Sequence, residues 1–257
     1  MKGPDFQEEK KLWRRGYKYV VCLDEVGRGC LAGPVVACAV MIINPKHEAR
    51  NPKQIPMLQI RNSKRFGKLK NWNLDIVSNF DIRISNLKIR DSKKLSPKAR
   101  DMFYKILISH PDIKWGTGRV YPRVIDRINI FEATKLAMAR AIQNLAQKYQ
   151  LQKTNDRSQI VGNGFFILDG NMKLNLPIPQ KAIVKADEKV FSCAAASIIA
   201  KVSRDRLMRK YHKKYPEYGF DKHKGYGTKR HLVALRKFGP CELHRKSFCL
   251  AFSKAGF

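Results

Sequence analysis

Acidic side chains are scarce in this 257-residue chain: 21 Asp and Glu stand against 52 Lys and Arg, a net charge of +31. A surface so positive implies a polyanionic partner. Long apolar runs are missing too. The longest nearly uninterrupted one, Leu31 to Ile43, falls short of the roughly 20 residues a membrane-spanning helix needs, so no membrane span is expected. The first residues, MKGPDFQEEKKLWRRGYKY, carry charge but neither the apolar stretch nor the small-residue cleavage site of a secretory leader, and a cytoplasmic location is expected. Cysteines number only six, and a chain with 44% apolar residues is long enough to build a core without disulfides. Cys22, Cys30, Cys38 and Cys193 fall in apolar segments, where reduced, buried thiols are expected. Cys241 and His244 form a Cys-x-x-His pair beside Cys249, but a structural zinc needs four ligands and no second pair follows at finger spacing. Metal chemistry must then come from carboxylates.

Tyr19 to Leu23 and Pro34 to Ile43 are continuous apolar, β-branched runs joined by the glycine-rich DEVGRGCLAG, the pattern of two buried strands and a short connection. Phe165 to Leu168 and Ala182 to Val184 are further strands, and Lys114 to Tyr121 a more weakly alternating fifth. Ser96 to Ser109 opens with Ser-Pro, a good cap and first helical residue; Ile130 to Tyr149 and Val190 to Tyr211 are longer helices. This order predicts one α/β domain over residues 1–257, a sheet with helices on its faces. A helical segment from about residue 210 includes a basic helix from Thr228. Asn44 to Arg90 differs, with eleven Lys and Arg against three Asp and Glu; it reads as a basic insertion, either an auxiliary nucleic-acid contact or a solvated loop.

In so basic a chain, acids at the ends of buried strands need a reason, because a buried carboxylate is costly unless a cation compensates it. Asp24 and Glu25 end the first run, and Asp169 and Asp187 follow the third and fourth. Neighbouring strand residues face opposite ways, so Asp24 and Glu25 share a cluster only if the strand stops there, as Gly27 and Gly29 suggest. Four carboxylates at one sheet edge suit Mg²⁺ or Mn²⁺, and a pair of such ions is a recurrent device for phosphodiester hydrolysis. Taken singly, each Asp reads as a turn or cap residue, and Asp187 as a cap of the following helix. Asp205 lies 18 residues beyond Asp187, about 27 Å along a helix, too far to join the cluster. Lys201 and Arg209, four residues to either side, offer it a helix-surface ion pair. Asp91 and Asp126 remain unassigned. These residues point to a metal-dependent nuclease; a basic nucleic-acid-binding module without catalysis would leave the four acids unexplained.

Six strings in order sharpen this: YVVCLDEVGRGCLAGPVVACAV, DSKKL from Asp91, ILDGN from Ile167, KADEKVFSCAAASIIAKVSRD from Lys185, HKGYGT from His223 and HRKSF from His244. Together they resemble type 2 ribonuclease H. The resemblance implies a ribonuclease H-like mixed sheet and an endonuclease, expected to be monomeric. Its substrates would be the RNA strand of RNA/DNA hybrids and single ribonucleotides within duplex DNA, cut to leave 3′-hydroxyl and 5′-phosphate ends with Mg²⁺ or Mn²⁺. Asp24, Glu25, Asp169 and Asp187 match the family's catalytic, metal-binding carboxylates. Gly27, Arg28 and Gly29 match the element whose backbone reads the 2′-hydroxyl, the one group that distinguishes the two sugars. Tyr226 matches the tyrosine that packs on a neighbouring sugar. The stretch before DSKKL is longer than the family pattern. An integrase-like or resolvase-like DNA nuclease, with a similar carboxylate site, is the rival enzyme.

Overall fold

A computed structural model of the chain describes residues 3–43, 95–151 and 159–253. The basic insertion Asn44 to Arg90 and Asp91 lie outside the described residues. Among the described residues, five strands form one sheet in the order β3-β2-β1-β4-β5: β1 Tyr19–Val26, β2 Val35–Ile43, β3 Ile113–Val120, β4 Gly164–Asp169 and β5 Gln180–Ile183. The β1–β2 and β2–β3 pairs are antiparallel, whereas β1–β4 and β4–β5 are parallel, so the sheet is mixed as expected. The longer helices among the described residues are α1 Gln7–Arg14, α2 Pro97–Ser109, α3 Pro122–Lys148, α4 Phe191–Lys214, α5 Lys229–Phe238 and α6 Lys246–Ser253. None of the described helices is long and apolar enough to cross a membrane.

The central strands β1, β2 and β4 read as largely unbroken apolar runs because both faces of the sheet are covered there. Val20 and Cys22 of β1, with Cys38 and Val40 of β2, pack against α4 and α2 through Ala195, Ile198, Phe103 and Leu107. Val21 and Leu23 face the other way, toward Ala137, Met138 and Ala141 of α3. That helix sits tightly on β3. A Cβ on Gly118 would collide with the Ala137 carbonyl and one on Gly116 with the Leu145 backbone, so the two glycines set how closely α3 approaches. Ser96 caps α2 as expected, its Oγ accepting the Ala99 N–H at 3.2 Å. The helix expected from Ile130 begins eight residues earlier. Its turn is interrupted at Asn129 (φ 63°, ψ 168°), whose Oδ1 accepts the Phe131 and Glu132 N–H groups and caps the second part afresh.

Two acids outside the strand ends serve packing. Asp205 is buried rather than on the helix surface; it pairs with Lys201 at 2.9 Å as expected, but its second cation among the described residues is Arg100 of α2 at 3.9 Å, not Arg209. Asp126 of α3 caps α6, accepting the Lys246 and Ser247 N–H groups at 3.0 Å each. All six cysteines are free thiols.

Candidate active site

The parallel pairing of β1 and β4, registered through Leu23 opposite Leu168, sets Asp24 and Asp169 next along adjacent strands. Asp169 Oδ1 accepts the Ala186 N–H at 2.6 Å, which draws the turn holding Asp187 to the same edge. Asp24, Asp169 and Asp187 thereby bring carboxylate oxygens within 4.8 Å of one another. Asp187 lies in the 3₁₀ turn Ala186–Glu188, and the N-cap of α4 is Val190, so the reading of Asp187 as that helix's cap does not hold.

Glu25 is placed differently. The β1 strand does not stop at Asp24 but stays paired with β2 through Val26, and alternation sends Glu25 to the opposite face. Its Oε1 faces the Arg28 guanidinium at 3.3 Å, and its Oε2 is buried without a hydrogen-bond partner among the described residues. Three of the four expected acids form the close cluster; the fourth, on the other face of β1, is near enough to act on Asp24 and Asp169 electrostatically.

Burial first, then the charges of Glu25 and Asp169, hold the Asp24 carboxyl well above the ordinary carboxylate range. Burial likewise raises Glu25, although Arg28 opposes it. Like charges so placed cannot all ionise without a compensating cation. An orphaned buried oxygen beside a set of hard oxygen donors fits Mg²⁺ or Mn²⁺ and suits softer metals poorly.

Beyond the acids, the glycine-rich turn meets the HKGYGT loop. Leu31 N–H donates to the Gly225 carbonyl at 2.9 Å, and Cys30 and Tyr226 form an antiparallel bridge. Tyr226 remains 39% exposed, enough to present its ring to a ligand. Histidines support this loop from below. His231 Nδ1 lies 2.9 Å from the Tyr226 carbonyl and must carry a proton there, which leaves its Nε2 to accept from His244 Nε2–H at 3.1 Å. His244 Nδ1 then accepts the Cys241 N–H at 2.9 Å, so the Cys-x-x-His pair is one end of a hydrogen-bond chain.

Residues 75–251 match the family model for ribonuclease HII, and the Ribonuclease HII of Chlamydia caviae is 43% identical over 242 residues, spanning 93% of this chain and 88% of that protein. The chain belongs to the ribonuclease HII family. As a ribonuclease HII it is an endoribonuclease with ribonuclease H activity on RNA/DNA hybrids. The fold agrees. The ribonuclease H2 from Pyrococcus horikoshii OT3 is 22% identical with a TM-score of 0.57, over 92% of this chain and 98% of that one. Bst ribonuclease HIII in complex with Mn²⁺ is 16% identical with a TM-score of 0.57, over 95% and 73%.

Two residues of this ribonuclease HII escaped the reading of its sequence. Arg204, in KVSRD, and Arg245, in HRKSF, are both fully buried, with no carboxylate among the described residues bonded to either guanidinium. Arg204 donates to the carbonyls of Pro34 (2.9 Å), Lys224 (2.8 Å) and Ala32 (3.1 Å). Arg245 donates to those of Gly27 (2.6 Å), Arg28 (2.7 Å) and Gly33 (2.9 Å). Both lay within matched strings, which was the available signal; their acceptors are main-chain groups that no side-chain pattern reveals.

Proposed function

We propose that this enzyme cuts at single ribonucleotides embedded in duplex DNA as well as within RNA/DNA hybrids, leaving 3′-hydroxyl and 5′-phosphate ends. Asp24, Asp169 and Asp187 hold Mg²⁺ or Mn²⁺, with Glu25 as the adjoining fourth ligand. The observation that carries this reading is the cluster itself: three carboxylates gathered at one sheet edge in a chain of net charge +31. Divalent cations bound there supply Lewis-acid polarisation of the phosphodiester and of water. The protein contributes the rest. β1 and β4 fix Asp24 and Asp169 on rigid strands, the turn Ala186–Glu188 carries Asp187, and Ala186 N–H orients Asp169. Lys and Arg side chains bind the phosphates. The Gly27-Arg28-Gly29 backbone approaches the ribose where a side chain would stand in the way, and Tyr226 packs on the neighbouring sugar.

The test uses three labelled duplexes of one sequence: all DNA, DNA with one ribonucleotide, and a continuous hybrid, each with Mg²⁺, with Mn²⁺ and with chelator. Cutting of the last two only, in the presence of metal, with 3′-hydroxyl ends that a polymerase can extend, is the expected result. Equal cutting of all-DNA duplex would favour the DNA-nuclease rival.

A further inference from the structure

We infer that Arg245 is a specificity-determining positioning residue: from beneath the glycine-rich turn it aims two backbone amides at the ribose. This rests on the proposed reading of the 2′-hydroxyl by Gly27-Arg28-Gly29. A trans peptide is planar, with its C=O and the following N–H pointing in opposite directions. Arg245 Nη2 captures the Gly27 carbonyl and Nη1 the Arg28 carbonyl. The amides that share those planes are the N–H groups of Arg28 and Gly29, which must point away from the buried guanidinium, toward the surface. Neither N–H pairs with an acceptor among the described residues.

The guanidinium suits this task better than an ammonium would. It is a rigid planar fork, and here Nε and both terminal nitrogens each meet a carbonyl at a fixed angle. Burial pushes the Arg245 pKa down to about 10, so it stays charged at neutral pH and its bonds to the carbonyls are charge-assisted. The turn it grips is unusual backbone: Gly27 has φ +91°, and a Cβ there would run into the Arg204 side chain. Arg204 braces the other side through Ala32, Pro34 and Lys224, joining the turn to the loop that carries Tyr226. Arg245 is itself anchored, since α6 begins at the next residue and Asp126 caps it.

The two amides would distinguish ribose from deoxyribose only while held in register, so loosening the fork should cost sugar selectivity more than general affinity. The readout is the ratio of affinities for a duplex with one ribonucleotide and for the same duplex in DNA. It is measured by fluorescence anisotropy with the full chain and no divalent metal. The ratio does not depend on the fraction of protein folded, so a merely structural defect leaves it unchanged. In Arg245→Lys, which keeps the charge and loses the fork, the ratio should fall about fivefold or more, the worth of one net hydrogen bond. Affinity for all-DNA duplex should stay within about twofold. Asp126→Ala, which frees the start of α6 without touching the buried core, should shift the ratio in the same direction by less. A parental ratio in Arg245→Lys overturns the inference; if that variant does not fold, a parental ratio in Asp126→Ala does so. A ratio of one in the parent would instead remove the 2′-hydroxyl reading on which the inference stands.

Discussion

The acid pocket and the arginine floor meet β1 and its following turn a few residues apart, yet they bury charge in opposite ways. In the pocket, Asp24, Asp169 and Asp187 crowd like charges together, and Glu25 Oε2 has no hydrogen-bond partner among the described residues. In the floor, Arg204 and Arg245 are buried as completely, but every guanidinium nitrogen has a carbonyl in reach. The arginine charge that the fold satisfies is architecture; under the proposed function, the like charges crowded in the acid pocket are kept for a cation.

The sharpest way to break this contrast is Asp24→Asn. Cleavage should fall by on the order of a thousandfold, at the upper end of what a single preorganised polar group supplies. Binding of hybrid should persist, because it rests on phosphate contacts. Stability should rise rather than fall, since the change removes a buried repulsion while Asn Oδ1 can still accept the Glu25 N–H. A relief of about 1 kcal/mol corresponds to roughly 2–4 °C in Tm for a chain of this size. Single-turnover kinetics and thermal denaturation of the same preparation check both halves.

Arg204→Ala should behave oppositely and by a smaller factor in activity than Asp24→Asn. Three carbonyls lose their donor, at about 1–3 kcal/mol for a group left unsatisfied, and the expected drop in Tm is on the order of 10 °C. A Tm within 2 °C of the parent would mean that the floor does not brace the loops.

Acid separates the two regions with the smallest effect. Burial lowers both His231 and His244 to about 4, so the folded protein keeps them neutral while unfolded chains take up protons below about 6.5. The sign follows: this support is intact above pH 6.5 and is lost as pH falls toward 4, at about 1.4 kcal/mol for each unit of pKa difference. The Asp24 carboxyl, raised by burial, works the other way, since protonation relieves the pocket. Denaturant unfolding between pH 7 and 4.5 should show a flatter acid-side loss in His244→Gln than in the parent.

The acids were legible in the sequence because an apolar run that ends in a carboxylate is conspicuous in a basic chain, and the runs at Tyr19 and Phe165 gave the strands that carry them. The extent of β1 was less so: the glycines suggested that the strand stops at Asp24 and Glu25, but β2 holds it to Val26, a pairing set by tertiary structure. The helix α1 was missed because its eight residues bury only Glu9, Leu12 and Trp13, and one of these is an acid. Glu9 Oε1 accepts the Ser192 N–H and hydroxyl at the start of α4, a partner 183 residues away. The roles of Arg204 and Arg245 were hidden for a related reason. In a chain with 52 cationic side chains, a place in a matched string does not reveal that their partners are backbone carbonyls.

Under the proposed function the acid pocket, unlike the floor, is incomplete until a divalent cation joins it. Thermal denaturation of parent and Asp24→Asn, in chelator and across a Mn²⁺ titration, tests this without any nucleic acid. A ligand that binds only the folded state stabilises it by RT ln(1 + [L]/Kd). The parent should therefore gain Tm progressively with Mn²⁺, while Asp24→Asn should start above the parent in chelator and gain little. A parent whose Tm ignores Mn²⁺, or an Asp24→Asn variant that starts lower and gains as much as the parent, would contradict the account.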